Sequence, residues 1–147
     1  MAKVTVKVSG VKGTINCLTR INEAVQREIK DTVAYSAIEI HNIAKESMSE
    51  SKSGRIYKRG NVIHRASAPG EAPATDQNSL KPSIRFAFSE DGLTAEVGTD
   101  VKYGPILEFG TSKIAPRPWL TPSFEQIRPR FIQEIQEIVK KNSRRTV

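Results

Sequence analysis

Arg85-Phe86-Ala87-Phe88-Ser89-Glu90-Asp91-Gly92-Leu93-Thr94-Ala95-Glu96-Val97-Gly98 is the stretch that decides the fold class. Phe86 and Phe88 alternate with Arg85, Ala87 and Ser89, the period of a strand with two unlike faces. Glu90-Asp91-Gly92 is a hairpin turn of the Asp-Gly kind. Leu93 to Gly98 returns as the partner strand. Just before it, Asn78 to Ile84 reads as a short helical turn with Leu80 and Ile84 on one side and Pro82 inside it.

Long helical patterns flank this hairpin on both sides. Ile15 to Ser49 holds no Gly and no Pro, and apolar residues recur at Ile15, Leu18, Ile21, Val25, Ile29, Val33, Ala37, Ile40, Ala44 and Met48. Steps of three and four are helical, and Tyr35, Ile38 and Ile43 widen the apolar face. Such a helix is about 50 Å long at the usual rise, so part of the Ile29, Val33, Ala37 and Ile40 stripe is expected to be covered by a neighbouring subunit. Lys3 to Val8 alternates as a strand. Beyond the hairpin, Tyr103 to Phe109 is a short helix ended by Gly110. Ile114 to Pro118 is extended. Trp119 to Lys141 is a second long helix with Phe124, Ile127, Phe131, Ile135, Ile138 and Val139 as its apolar positions. Pro122 fits its first turn. Pro129 predicts a kink or restart.

Between the first helix and the hairpin, Glu50 to Gln77 is poor in apolar residues and rich in Ser, Ala, Pro and Gly, and reads as one long loop. The expected fold is α+β: a small antiparallel sheet packed on a long N-terminal helix and a long C-terminal helix, with a long extended loop between. With 147 residues, the chain is one domain over 1–147, comprising an extended basic loop at 51–77 and a basic tail at 140–147.

Charge gives the first functional hint. Lys and Arg number 23 against 16 Asp and Glu, a net charge of +7. The excess is concentrated. Lys52, Arg55, Lys58, Arg59 and Arg65 occur with no acid among them, and Lys140, Lys141, Arg144 and Arg145 close the chain. Such patches meet DNA phosphate or an acidic partner, unless they are simply solvated. No apolar run approaches the roughly 20 residues of a membrane span, and the N-terminus lacks the apolar stretch of a signal peptide. The single Cys17 excludes an internal disulfide and a multi-cysteine zinc site. His41 reads as a surface residue on the first helix, and His64 lies in the basic loop without a metal partner at ligand spacing. There is no nucleophile–base set and no phosphate-binding Gly loop, so neither an enzyme nor a bound cofactor or metal is expected.

Tyr103-Gly104-Pro105-Ile106-Leu107-Glu108-Phe109-Gly110-Thr111, followed by Ala115-Pro116-Arg117-Pro118-Trp119-Leu120-Thr121-Pro122-Ser123, resembles a block of the tail-component family of tailed bacteriophages. These are the neck or tail-completion proteins of lambda-like siphophages. His64-Arg65-Ala66-Ser67-Ala68-Pro69-Gly70-Glu71-Ala72-Pro73-Ala74 resembles a second block and Ser79-Leu80-Lys81-Pro82-Ser83-Ile84 a third. The likeness covers about Ser53 to Ile127. It departs at Gln77-Asn78, where the family tends to have a small residue and Gly, and at Trp119, where Phe is usual.

The resemblance implies a structural virion protein at the head-tail junction, assembled in the host bacterial cytoplasm and located in the tail or neck. It implies a homo-oligomeric ring, a hexamer favoured over a dodecamer, joined to other neck, connector and tail proteins around the DNA passage, with no membrane contact. In that reading Lys52, Arg55, Lys58, Arg59 and Arg65 face packaged DNA or an acidic partner. Ala68, Pro69, Gly70 and Pro73, with Tyr103, Glu108, Phe109, Gly110, Thr111 and Trp119, form the subunit or neighbour interface. Glu108 also fits a plain helix end, paired with a base such as Arg117, and Trp119 also fits a core plug. The alternative function is a sequence-independent nucleic-acid-binding module. A small nuclease using His64 is a third.

Overall fold

The computed structural model describes residues 4–8, 23–75 and 79–143. In chain order the elements are β1 (Val4–Val8), α1 (Glu23–Ser49), β2 (Ile56–Arg59), β3 (Val62–Arg65), α2 (Leu80–Ser83), β4 (Arg85–Phe88), β5 (Ala95–Thr99), α3 (Gly104–Phe109) and α4 (Thr121–Ser143). The architecture is α+β, as the pattern of periods requires. The Ile15 to Asn22 part of the expected first helix lies outside the described residues, as does Cys17.

β1, β5 and β4 form one antiparallel sheet in that order, with Val6 opposite Val97 and Phe86 opposite Val97 on its other side. The strand from the far N-terminus thus lies beside the returning strand of the hairpin. α1 runs between this sheet and α4 and packs on both. Its buried residues, Val25, Ile29, Thr32, Val33, Ser36, Ala37, Ile40, Ala44 and Met48, follow the three-and-four spacing of one helical face. Leu80, Ile84, Ala95, Val97, Trp119, Leu120 and Ile127 complete the core. The Ser83 hydroxyl meets the Thr99 hydroxyl at 2.5 Å, which ties α2 to β5 inside the fold.

Three expectations are corrected. A single chain already buries Ile29, Val33, Ala37 and Ile40 to within 1 % of full burial, so no neighbour is needed to cover that stripe. Sheet and α4 cover it from two directions. The second stripe behaves differently: Tyr35 is 69 % exposed and Ile38 37 %. Of the kink or restart expected at Pro129, the restart is excluded, since α4 runs through it as one helix. Pro129 is exposed, while Ile127 and Phe131 on either side of it belong to the packed face, so contacts hold the helix across the missing N–H. Finally, the described part of the expected loop, 51–75, contains two strands, β2 and β3.

Candidate functional site

The sequence of the supposed loop contains Ile56-Tyr57-Lys58-Arg59 and Val62-Ile63-His64-Arg65 around Gly60-Asn61. These form β2 and β3, an antiparallel ribbon of their own, with Ile56 opposite Arg65, Tyr57 opposite His64, Lys58 opposite Ile63 and Arg59 opposite Val62. Apolar residues fall in adjacent pairs, so each face of the ribbon receives both kinds. One face carries Ile56, Lys58, Ile63 and Arg65; the other carries Tyr57, Arg59, Val62 and His64. The strict alternation that marks a half-buried strand is therefore absent, and so is burial. Seven of the eight strand residues are exposed and His64 is half-buried, stacked on Tyr57 at 5.6 Å between ring centres. Ile63 is 72 % exposed. The ribbon is an arm rather than a wall of the core.

The base of the arm is built tightly. Ala66 N–H donates to the Arg55 carbonyl at 3.0 Å. A Cβ on Gly54 would lie 2.4 Å from the Ala66 carbonyl oxygen, so only glycine lets the two segments cross there. Glu71 clamps the crossing. Its carboxylate accepts the Ser53 hydroxyl at 2.5 Å, the Ser53 N–H at 3.1 Å and the Ala68 N–H at 2.8 Å. The Ser53 hydroxyl first, then the Ala68 and Ser53 N–H groups, stabilise the charged form and hold its pKa at about 2, well below the ordinary 4.5, with Lys52 adding a smaller attraction.

The five cations picked from sequence separate into two sets. Lys52 is half-buried and its ammonium donates to the Ser47 carbonyl at 2.6 Å, which caps the end of α1. Arg65 reaches the Gly54 carbonyl at 3.5 Å. Arg55, Lys58 and Arg59 are exposed, and their side chains have no hydrogen-bond or ion-pair partner among the described residues.

The second set of residues, from two blocks far apart in sequence, is drawn into one region. Gly70 N–H donates to the Pro116 carbonyl at 2.9 Å, and Arg117 Nε donates to the Ser67 carbonyl at 3.2 Å. Pro69, Gly70, Phe109 and Thr111 are exposed, with Phe109 at 69 %; Ala68, Gly110 and Tyr103 are half-buried. Pro73, Glu108 and Trp119 are buried and leave the candidate surface. The partner of Glu108 is not Arg117. Its carboxylate accepts the N–H groups of Trp119 at 2.9 Å, Leu120 at 3.0 Å and Thr121 at 2.8 Å, at the positive end of α4. Trp119 is 1 % exposed and fills the core.

The remaining sequence candidates hold structural places. His41 is half-buried rather than on the surface: Nε2 lies 3.1 Å from the Ile84 carbonyl, and the ring meets Phe86 edge-on at 5.3 Å. Lys141 lies 3.4 Å from Glu28, while Arg144 and Arg145 lie outside the described residues. No group of three or more His, Cys, Asp or Glu among the described residues is placed to hold a metal ion. No described helix is long and apolar enough to cross a membrane.

The sequence reading missed the apolar half of the arm, Ile56, Val62 and Ile63, and the clamp at Glu71. A signal existed for the first: two short apolar-basic runs around Gly60-Asn61 suit a hairpin. None existed for the second, since a carboxylate in a Pro-Gly segment carries no mark of its partners. No family model matches this chain, and neither a curated protein nor a solved structure matches it.

Proposed function

We propose that this chain is a structural subunit of the head-tail junction of a tailed bacteriophage, assembling as a ring around the DNA passage in the virion neck. The observation that carries the reading is the projecting arm. A ribbon of two strands is marginal in water, and this one exposes four large apolar side chains and two unpartnered cations, Lys58 and Arg59, with Arg55 exposed at its base. It is suited to gain its remaining contacts from another molecule in an assembly. The likeness of the Tyr103–Thr111 and His64–Ala74 segments to phage tail-component proteins supports the same reading. So do the hydrogen bonds that join the His64–Ala74 segment to the Ala115–Ser123 segment, Gly70 to Pro116 and Arg117 to Ser67. Glu108 and His41 have structural partners, and the reading assigns no catalytic step to either.

The test is genetic complementation. A phage lacking this chain should yield filled heads and finished tails that do not join, and the chain supplied in trans should restore joined particles. Normal joined particles in its absence would end the proposal.

The second reading, a sequence-independent nucleic-acid-binding module, is favoured by Arg55, Lys58 and Arg59 alone. It requires the isolated chain to bind unrelated duplexes alike, with affinity falling steeply as salt rises.

A further inference from the structure

The arm has a complement on the same chain. Where α1 ends, a cleft of about 460 Å³ opens between the last turns of α1, the Gly70-Glu71-Ala72 segment and the start of α4. Ile43, Ala72, Pro118 and Pro122 supply its apolar lining. Glu46, Glu50 and Glu71 supply three carboxylates against the single ammonium of Lys52. Glu71 is held by Ser53 and Ala68, and Lys52 by Ser47. Glu46 on the last turn of α1 and Glu50 just beyond its end are exposed, and their side chains have no partner among the described residues. The cleft therefore combines apolar walls with unpaired negative charge. The arm combines Ile56, Val62 and Ile63 with unpaired positive charge at Lys58 and Arg59.

We propose that the tip of the arm docks in this cleft on a second copy of the chain, Lys58 and Arg59 meeting Glu46 and Glu50. The inference rests on the reading of the chain as a self-assembling subunit and names the contact that joins the copies. The arm projects by about 15 Å from its base at Arg55 and Ala66, at about 3.3 Å per strand residue. That base is tied by Glu71, which also forms part of the cleft wall. Each copy thus offers an arm beside the cleft in which it receives another. The two faces of such a contact are different patches, so the contact is head-to-tail and generates a ring when the rotation closes. Docking brings opposite charges together and covers apolar side chains that the monomer leaves in water.

Charge reversal tests the contact on both sides. The arm variant is K58E/R59E and the cleft variant is E46K/E50K; all four residues are exposed, so both variants should fold, as circular dichroism and the emission of the single tryptophan report. For a variant that fails this check, the neutral versions K58Q/R59Q and E46Q/E50Q replace it. The wild-type chain at moderate salt should sediment as an oligomer. Each reversal should weaken association on the order of 100-fold, because like charges then face one another. An equimolar mixture of the two reversed chains should reassemble, since each arm then finds a cleft of opposite sign. A wild-type chain that stays monomeric, reversals that leave the oligomer intact, or folded reversed chains that do not reassemble when mixed would each overturn the proposal. So would an arm reversal that abolishes duplex DNA binding while the oligomer persists. Sedimentation uses no phage component, so an oligomer with the expected charge dependence that nevertheless fails to restore head-tail joining removes the junction reading and leaves the docking contact standing.

Discussion

The carboxylate of Glu108 accepts the backbone N–H of Trp119 at 2.9 Å, and both residues lie inside the protein. Through this contact and those to Leu120 and Thr121, the end of α3 caps the start of α4. A side chain eleven residues upstream does what a local cap residue does in most helices. Removing it leaves buried N–H groups without acceptors. Glu108→Ala should lower stability by about 2–4 kcal/mol. Glu108→Gln, whose amide oxygen still accepts, should cost less. Urea denaturation followed by tryptophan emission checks both.

Acid should loosen the arm before it unfolds the core. The Glu71 pKa is lowered in the folded chain, so its contribution is fully present above pH 4.5 and lost as pH falls toward about 2. The protection of the Ala66 and Ala68 amides, their exchange measured against the intrinsic rate at each pH, should fall across that window. Glu71→Gln should show low protection there at neutral pH and little further change in protection on acidification. An arm base equally protected at every pH would contradict this account.

Gly110 should resist replacement. Its φ is 71°, and an added Cβ would approach the Ile114 carbonyl oxygen to 2.6 Å. Gly110→Ala combines left-handed strain with a backbone clash and should destabilise by about 1–3 kcal/mol. Thermal melts of the two proteins give the comparison.

Trp119 should tolerate Phe and not Ala. Its ring is 1 % exposed, yet its Nε1 has no hydrogen-bond partner. Trp119→Phe therefore breaks no side-chain hydrogen bond and should cost about 1–2 kcal/mol of lost packing. Trp119→Ala should cost about 3–5 kcal/mol. Near-ultraviolet circular dichroism would report the loss of packing in the second variant and its retention in the first.

Deleting the arm should spare the body of the protein. Ile56 to Arg65 contribute no residue to the buried core. Replacing them with a short glycine turn should change stability by less than about 1 kcal/mol. A collapse of the fold on deletion would mean that the arm supports the core.

Sequence periodicity determined the α+β class, the helical face from Val25 to Met48 and the β4–β5 hairpin at Asp91-Gly92. These are local facts: a three-and-four spacing or an Asp-Gly turn acts through neighbours along the chain, and burial then follows the apolar face. It also marked the cations of the arm, though as a loop, because the mixed faces of Ile56–Arg59 and Val62–Arg65 hide a strand that no core covers. Only the tertiary structure decided what depends on pairs distant in sequence. It placed β1 against β5, completed the burial of α1 between sheet and α4, gave Glu108 to the N-terminus of α4 and Glu71 to Ser53, and removed Trp119 from the surface. A carboxylate reads alike in sequence whether it meets water, an arginine or three backbone N–H groups. Which of these it meets is settled by the backbone around it, and that backbone is positioned by packing of the whole chain.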